Sequence, residues 1–302
     1  MIKVPSFIIH HSSLPYRPLL WLGPAILYLL ALTIYPLFYS VQVALTTTAA
    51  GPGPPTLKNF ARLFHDRLFF ISLGQTLIYT AVALVVEFGL GLALALTVHA
   101  VGEQRTWWRA WYRPLLLVPM LLPPVVVAVI WRLIYNPDFG LINGTLKSWG
   151  IPTRALTWIA AERTALLSVI LVDVWQWTPF LFLLLLAALQ SLPQEPYEAA
   201  RVDGASAWQT FRLVTWPLLK PAVLVALLLR TMDLLRVFDQ IFILTQGGPG
   251  FATETASLFI YRTAFRFYDL GYASVLSFVL LAMTLALSKL FVRVLRGGGA
   301  HS

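Results

Sequence analysis

The 302-residue chain is 58% hydrophobic and only 12% charged, with a mean hydropathy of +0.75. Soluble domains carry roughly 25% charge and about 45–50% apolar residues, so a soluble fold and a disordered chain are both excluded. Cysteine is absent, which excludes a disulfide scaffold and says nothing of compartment. The net charge of +9 is spread thinly between long apolar runs, as in loops facing an anionic bilayer rather than in a nucleic-acid patch. The composition describes an all-α polytopic membrane protein.

A helix needs about 20 apolar residues to cross the hydrocarbon. Uncharged intervals of that size predict spans near residues 19–45, 71–100, 114–135, 164–190 and 270–294. The first has no small-residue cleavage pattern and reads as a retained span, preceded by an N-terminal segment, 1–18. Gly51-Pro52-Gly53-Pro54-Pro55 breaks the chain after it, and Leu57-Lys58-Asn59-Phe60 should start a short outer helix. Residues 101–113 set Trp107, Trp108, Trp111 and Tyr112 among arginines, an aromatic and basic interfacial anchor. The longest outer loop, 136–163, has turn signals at Asn136-Pro137 and Asn143-Gly144.

A further span near 217–244 carries Arg230, Asp233, Arg236 and Asp239. Four central charges cost about 10–14 kcal/mol on the insertion scale, more than its apolar residues return. It inserts only if those charges face other helices or a wet cavity. That makes six spans, with residues 295–302 as a tail. Eleven Lys and Arg fall on the N-terminal side of the membrane and eight on the other, which places both termini in the cytoplasm.

Polar residues inside the spans are Glu87, Asp173, Gln176 and Trp177, then Asp233, Arg236, Asp239 and Gln240. The seven other than Glu87 suggest a path for a hydroxylated solute, with amides and carboxylates bonding hydroxyls and Trp177 stacking on an apolar face. The competing reading is structural, with Arg230–Asp233 and Arg236–Asp239 neutralised at i,i+3 spacing. Gln176 and Gln240 are the better solute contacts, and Glu87 needs a tertiary partner such as Arg132. The five histidines have no metal-ligand spacing, and neither nucleophile elbow nor kinase signature occurs. Gly247-Gly248-Pro249 is a turn, not a phosphate loop.

Between spans four and five, residues 195–217 are too polar for lipid. Pro196 suits a first helical turn, with Glu198 placed to complement the dipole. Gly204 can end that helix in a left-handed conformation. Trp208 and Phe211 share a face of a second short helix, and Pro217 opens the next span. The result is a protruding helix–glycine–helix handle.

Glu198-Ala199-Ala200, then Gly204, then Val214-Thr215-Trp216-Pro217 resembles the EAA loop of ATP-binding-cassette (ABC) importer permeases, with Val214 and Trp216 in place of that motif's Ile and Leu. Tyr197–Ala205, Phe238-Asp239-Gln240, Leu244–Pro249 and Thr253-Glu254-Thr255 resemble the carbohydrate branch, of the maltose and glycerol-phosphate type. The resemblance covers most of the chain, most strongly residues 170–290. It implies a subunit that moves a sugar or polyol across the bacterial inner membrane by alternating access. Glu198, Ala199, Ala200, Asp203, Gly204 and Pro217 inherit ATPase coupling. The implied partners are a second homologous permease, a cytoplasmic ATPase dimer, an extracytoplasmic binding protein and membrane lipid, with no nucleic acid. The chain has no Gly-x-x-x-x-Gly-Lys-Ser/Thr, so ATP and Mg would be bound by the partner, and this chain would be neither an enzyme nor a cofactor carrier. An ion-gradient transporter and a membrane-embedded enzyme are the rival readings, weakened by the lack of repeats and of catalytic constellations.

Overall fold

A computed structural model describes residues 17–46, 54–101, 106–152 and 157–298. The N-terminal residues 1–16, the breaker at 51–53 and the last tail residues lie outside the described residues, as do the side chains of the aromatic segment 101–113.

The elements follow in order as α1 (Arg17–Ala44), α2 (Lys58–Leu63), α3 (Arg67–Val101), α4 (Thr106–Leu121), α5 (Pro124–Ile134), α6 (Leu141–Ser148), α7 (Glu162–Gln190), α8 (Glu195–Val202), α9 (Ala207–Thr210), a π-helical turn (Phe211–Thr215), α10 (Trp216–Leu234), α11 (Asp239–Leu244), α12 (Ala256–Phe265) and α13 (Leu270–Gly298). No strand occurs among the described residues. Five helical stretches are long and apolar enough to span, and a sixth arises if α4 and α5, bent by 100°, count as one.

That bend corrects the expectation of one straight helix over 114–135. Pro123 and Pro124 both lack an amide donor and disfavour helix in the residue before them, so the chain must turn there. The predicted span over 217–244 is corrected too. It begins at Ala207, because α9, the π turn and α10 run on as one helix. The π turn ends two residues before Pro217, where a widened turn relieves the clash of a proline ring with the preceding carbonyls. The helix stops at Leu234, and α11 resumes after a four-residue break. Asp233, Arg236 and Asp239 therefore lie at the end of the span and in its break, not at its centre.

The core is built on α3 and α7, which pack along their lengths. Gly91 permits the contact, since a Cβ there would meet the Leu181 Cβ at 3.0 Å and the Phe182 nitrogen at 3.1 Å. Two apolar clusters stack along this pair. One joins Tyr79, Val169, Leu234, Ile241 and Leu258. The other joins Ala95, Phe182, Leu185, Leu219 and Val223. Between them, in a single layer, sit Glu87, Asp173 and Arg230, all buried. The expected short helix forms as α2, and its Asn59 ties it to the end of α1, donating to the Ala44 and Thr46 carbonyls at 3.0 and 2.8 Å. α1 lies against α13 at the margin of the bundle and exposes nearly all of its apolar surface, as a lipid-facing helix does.

Candidate functional site

Arg230 on α10 reaches two other helices. Its Nε donates to Glu87 Oε2 at 2.6 Å, and its Nη2 donates to Glu87 Oε1 at 2.9 Å and to Asp173 Oδ2. The guanidinium also lies 5.1 Å from the centre of the Trp177 ring. Neither expected i,i+3 pair with Arg230 or Asp239 forms. A buried guanidinium fork is better satisfied by two carboxylates aimed at it from α3 and α7 than by a neighbour on its own helix pointing to water. Asp233 bonds instead to Arg236, at 3.3 Å, with both side chains more than half exposed. Arg132, the suggested partner for Glu87, instead donates to the Ile243 carbonyl at 3.4 Å.

Gln176 and Gln240 come together as expected of one path, but they bond to each other. Gln240 Nε2 donates to Gln176 Oε1 at 2.7 Å, and Gln176 Nε2 donates to the Leu122 carbonyl at 2.9 Å. That carbonyl belongs to the α4–α5 break, so Gln176 satisfies a backbone group released by the bend. The Tyr79 hydroxyl donates to Gln240 Oε1 at 3.4 Å. Both amides are buried and engaged by protein, so the picture of free amides facing water is corrected. Gln240→Leu should therefore lower the stability of the folded chain by about 1–3 kcal/mol, by leaving the Gln176 carbonyl and the Tyr79 hydroxyl unpaired. A thermal melt of the purified protein that matches wild type would contradict this.

A cleft of about 250 Å³ opens beside these groups, lined by Asp173, Trp177, Arg230, Asp233, Arg236, Phe238, Asp239 and Gln240. It collects six of the seven residues picked out as a solute path, all but Gln176. Its rim is mixed in charge and its wall is aromatic. Such a surface suits a neutral polyhydroxy solute better than an ion, because donors and acceptors are both at hand.

The handle is at the opposite end. Pro196 stands in the first turn of α8, with Glu195 and Glu198. Gly204 has φ +69°, and the Gly204 and Ala205 amides donate to the Arg201 and Ala200 carbonyls at 3.2 and 2.9 Å. This is a Schellman ending, in which the left-handed glycine lets two orphan carbonyls be capped. Ser206 then caps α9 reciprocally with Gln209. The sequence reading missed this, although Ser206-x-x-Gln209 is a capping-box signature. Trp208 and Phe211 share a face, their rings stacked 5.8 Å apart. α8 buries none of its residues. Glu198, Ala199, Asp203 and Gly204 are exposed, Ala200 is half-buried, and Val202 and Trp208 are 88% and 66% exposed. The handle is tied back by the Tyr197 hydroxyl, which donates to Thr215 at 3.2 Å.

Gly247, Gly248 and Pro249 form a turn that folds back over Glu254. Thr253 donates from its amide to the Gly247 carbonyl at 3.2 Å and from its hydroxyl to the Gly248 carbonyl at 2.9 Å. Gly247 has φ +83°, and a side chain there would run into the Glu254 carboxylate. Arg262 donates to Glu254 Oε2 at 2.8 Å and to the Gln246 carbonyl. Burial pushes the Glu254 carboxyl up to about 7, and Arg262 pulls it the other way. With the folded value above the unfolded one, the stability it contributes is full below about pH 4.5 and is lost as pH rises through 7. Protection of the 245–256 amides against hydrogen exchange should accordingly be weaker at pH 8 than at pH 6, and Glu254→Gln should flatten the difference. An equally steep profile in that variant would show that Glu254 is not the group responsible.

Residues 88–296 match the family of binding-protein-dependent transport system inner membrane components. The chain belongs to this family. Relatives align over most of the chain. It is 35% identical over 284 residues to a probable ABC transporter permease protein, YurN, of Bacillus subtilis, covering 93% of this chain and 96% of that one. It is 39% identical over 241 residues to the trehalose/maltose transport system permease protein MalF of Thermococcus litoralis, covering 79% and 78%. Among solved structures, a bacterial ABC transporter involved in the import of the acidic polysaccharide alginate superposes with a TM-score of 0.82 at 22% identity, over 93% of this chain and 95% of that one. The permease is thus a multi-pass component of the inner membrane.

Proposed function

We propose that this permease translocates a neutral sugar or polyol inward by alternating access, driven by ATP hydrolysed on a separate subunit. The observation that carries the reading is the pairing of a polar, Trp-walled cleft beside the α10–α11 break with an exposed, rigidly capped handle at the other end of α10. Relatives named for trehalose and maltose, for trehalose and for sulfoquinovosyl glycerol support the solute class. A cleft that sets Asp173, Asp233 and Asp239 beside Arg230 and Arg236 is mixed in charge and favours a neutral member of that class.

In this reading Glu198, Ala199, Ala200, Asp203 and Gly204 face a cytoplasmic ATPase dimer, which binds the ATP and Mg. Pro217 and the π turn before it pass movement of the handle into α10. A second permease completes the pathway, and an extracytoplasmic protein delivers solute to the end bearing Gly247, Gly248 and Pro249. Arg230 links α10 to α3 and α7, so a tilt of α10 bears directly on the walls of the cleft. The chain itself performs no chemistry.

Reconstitution with candidate ATPase, second permease and binding protein tests this. Uptake of radiolabelled trehalose or maltose should require both ATP and the binding protein. Uptake by the chain alone under an ion gradient would overturn it. Topology has its own test, because the chain lacks cysteine. Val202→Cys, on the handle, and Phe251→Cys, on the outer loop, should react with an impermeant thiol reagent from opposite sides of the membrane. Thr253 is unsuitable for this, being buried. Reaction of both from one side would remove the fifth span.

A further inference from the structure

Phe238 lines the cleft, and three more rings continue from it. Phe242, one turn along α11, stacks on Phe238 with centroids 5.2 Å apart and planes at 17°. Tyr261 of α12 closes on both, at 5.0 and 5.4 Å. Phe265 follows at 5.3 Å. α12 starts beside the cleft, where the Thr255 hydroxyl donates to the Val237 carbonyl at 3.3 Å. It ends at Phe265, close to the outer start of α13. At about 1.5 Å per residue, α12 advances roughly 15 Å along the way.

Phe238, Phe242 and Tyr261 back onto the first apolar cluster, but none of these rings is fully buried, and Phe265 is 62% exposed. An interfacial aromatic belt lies at one depth, whereas this row runs inward from the outer end to the cleft. The hydroxyl of Tyr261 also sets that residue apart from the other described tyrosines that are buried or half-buried. Tyr79, Tyr135, Tyr197 and Tyr272 each donate to a protein acceptor. Among the described residues Tyr261 has no such partner. The row thus offers aromatic faces with one open hydroxyl between them.

We propose that Phe242, Tyr261 and Phe265 form an entry track that passes a pyranose ring from the outer end of the permease into the cleft at Phe238. An aromatic face is electron-rich and takes the C–H groups of a sugar, while the Tyr261 hydroxyl bonds a sugar hydroxyl. Successive rings about 5 Å apart let the solute step inward without being fully rehydrated. The proposal rests on the carbohydrate reading above.

The test uses the assembled importer in proteoliposomes, with whichever of radiolabelled trehalose or maltose the wild type takes up. If wild type takes up neither, it is the carbohydrate reading that has failed. The double variant Tyr261→Leu with Phe265→Leu keeps apolar bulk and removes the rings. It should take up sugar about tenfold more slowly, the equivalent of two lost ring contacts. ATP hydrolysis stimulated by the liganded binding protein should stay within about twofold of wild type, so fewer sugars enter per ATP. Phe265→Trp should restore uptake when paired with native Tyr261. Wild-type uptake per ATP in the Leu variant would overturn the track. An equal fall in uptake and stimulated ATPase would overturn it as well, assigning the rings to packing against the second permease.

Discussion

Arg230→Leu is expected to abolish accumulation of the folded permease. The side chain is buried, with Glu87 and Asp173 buried around it, and it carries every ion pair those two carboxylates make among the described residues. Leucine would leave two carboxylates facing each other between apolar clusters. Removing one partner of a buried pair typically costs about 3–5 kcal/mol, and here two acids lose the same partner. That approaches the whole stability of an ordinary domain, about 5–15 kcal/mol. The readout is the amount of monodisperse protein after detergent extraction, with its melting temperature. A triple variant, Glu87→Gln, Asp173→Asn and Arg230→Met, removes all three charges together and should recover much of the loss, because replacing a buried ionic cluster outright is far less costly than halving it. Asp233→Leu supplies the contrast. Its pair with Arg236 is exposed on both sides, and such pairs contribute under about 1 kcal/mol. Arg230→Leu extracting and melting like wild type would mean that the cluster does not hold α3, α7 and α10 together.

Gly204→Val is expected to leave the permease in the membrane and to lower coupled uptake at least about tenfold. No atom lies within 4 Å of a Cβ placed at Gly204, so crowding cannot be the cause. The cause is the backbone, at φ +69°, where a β-branched residue costs about 1–2 kcal/mol or more. α8 has eight residues and buries none, and so short a helix has no reserve of its own to absorb that cost. It would fray from its Schellman end, turning Glu198 and the two alanines away from the surface they present. Binding-protein-stimulated ATPase activity, uptake and co-purification of the ATPase should fall together. Gly204→Asn discriminates, since asparagine tolerates the left-handed region, and it should retain most activity. If Asn fails as badly as Val, the glycine acts through a close approach of the partner. If Val is fully active, the handle is not the coupling element.

Much of this architecture could be read from the residues. Span lengths follow from unbroken apolar runs, and the handle follows from polarity, Pro196 and Gly204. The short helix at Lys58 was also legible. Each of these depends on a few neighbouring residues and on the solvent they meet. The Pro123-Pro124 break was written in the sequence as well, and it was overlooked because hydropathy over 114–135 is blind to missing amide donors. The end of α10 at Leu234 had a weaker local signal, four charges in ten residues, and that signal was read as a polar face.

The partners of the buried groups were not legible. Spacing offered Arg230 a neighbour three residues on, yet it joins carboxylates 143 and 57 residues away. Gln240 likewise meets Gln176 at a separation of 64 residues. An i,i+3 pair is always geometrically available on a helix, but it leaves the choice of solvent open. Once α3, α7 and α10 pack, burial makes an unmatched charge far more costly than an exposed pair is worth. Arg230 is then bound by the two acids sealed in with it, while Asp233 and Arg236, at the open end of the helix, keep to each other in water. The sequence by itself determined which stretches are apolar enough to span a membrane and where the handle turns. Which polar groups close the core and which line the cleft was decided by tertiary packing, because only packing determines which of them lose water.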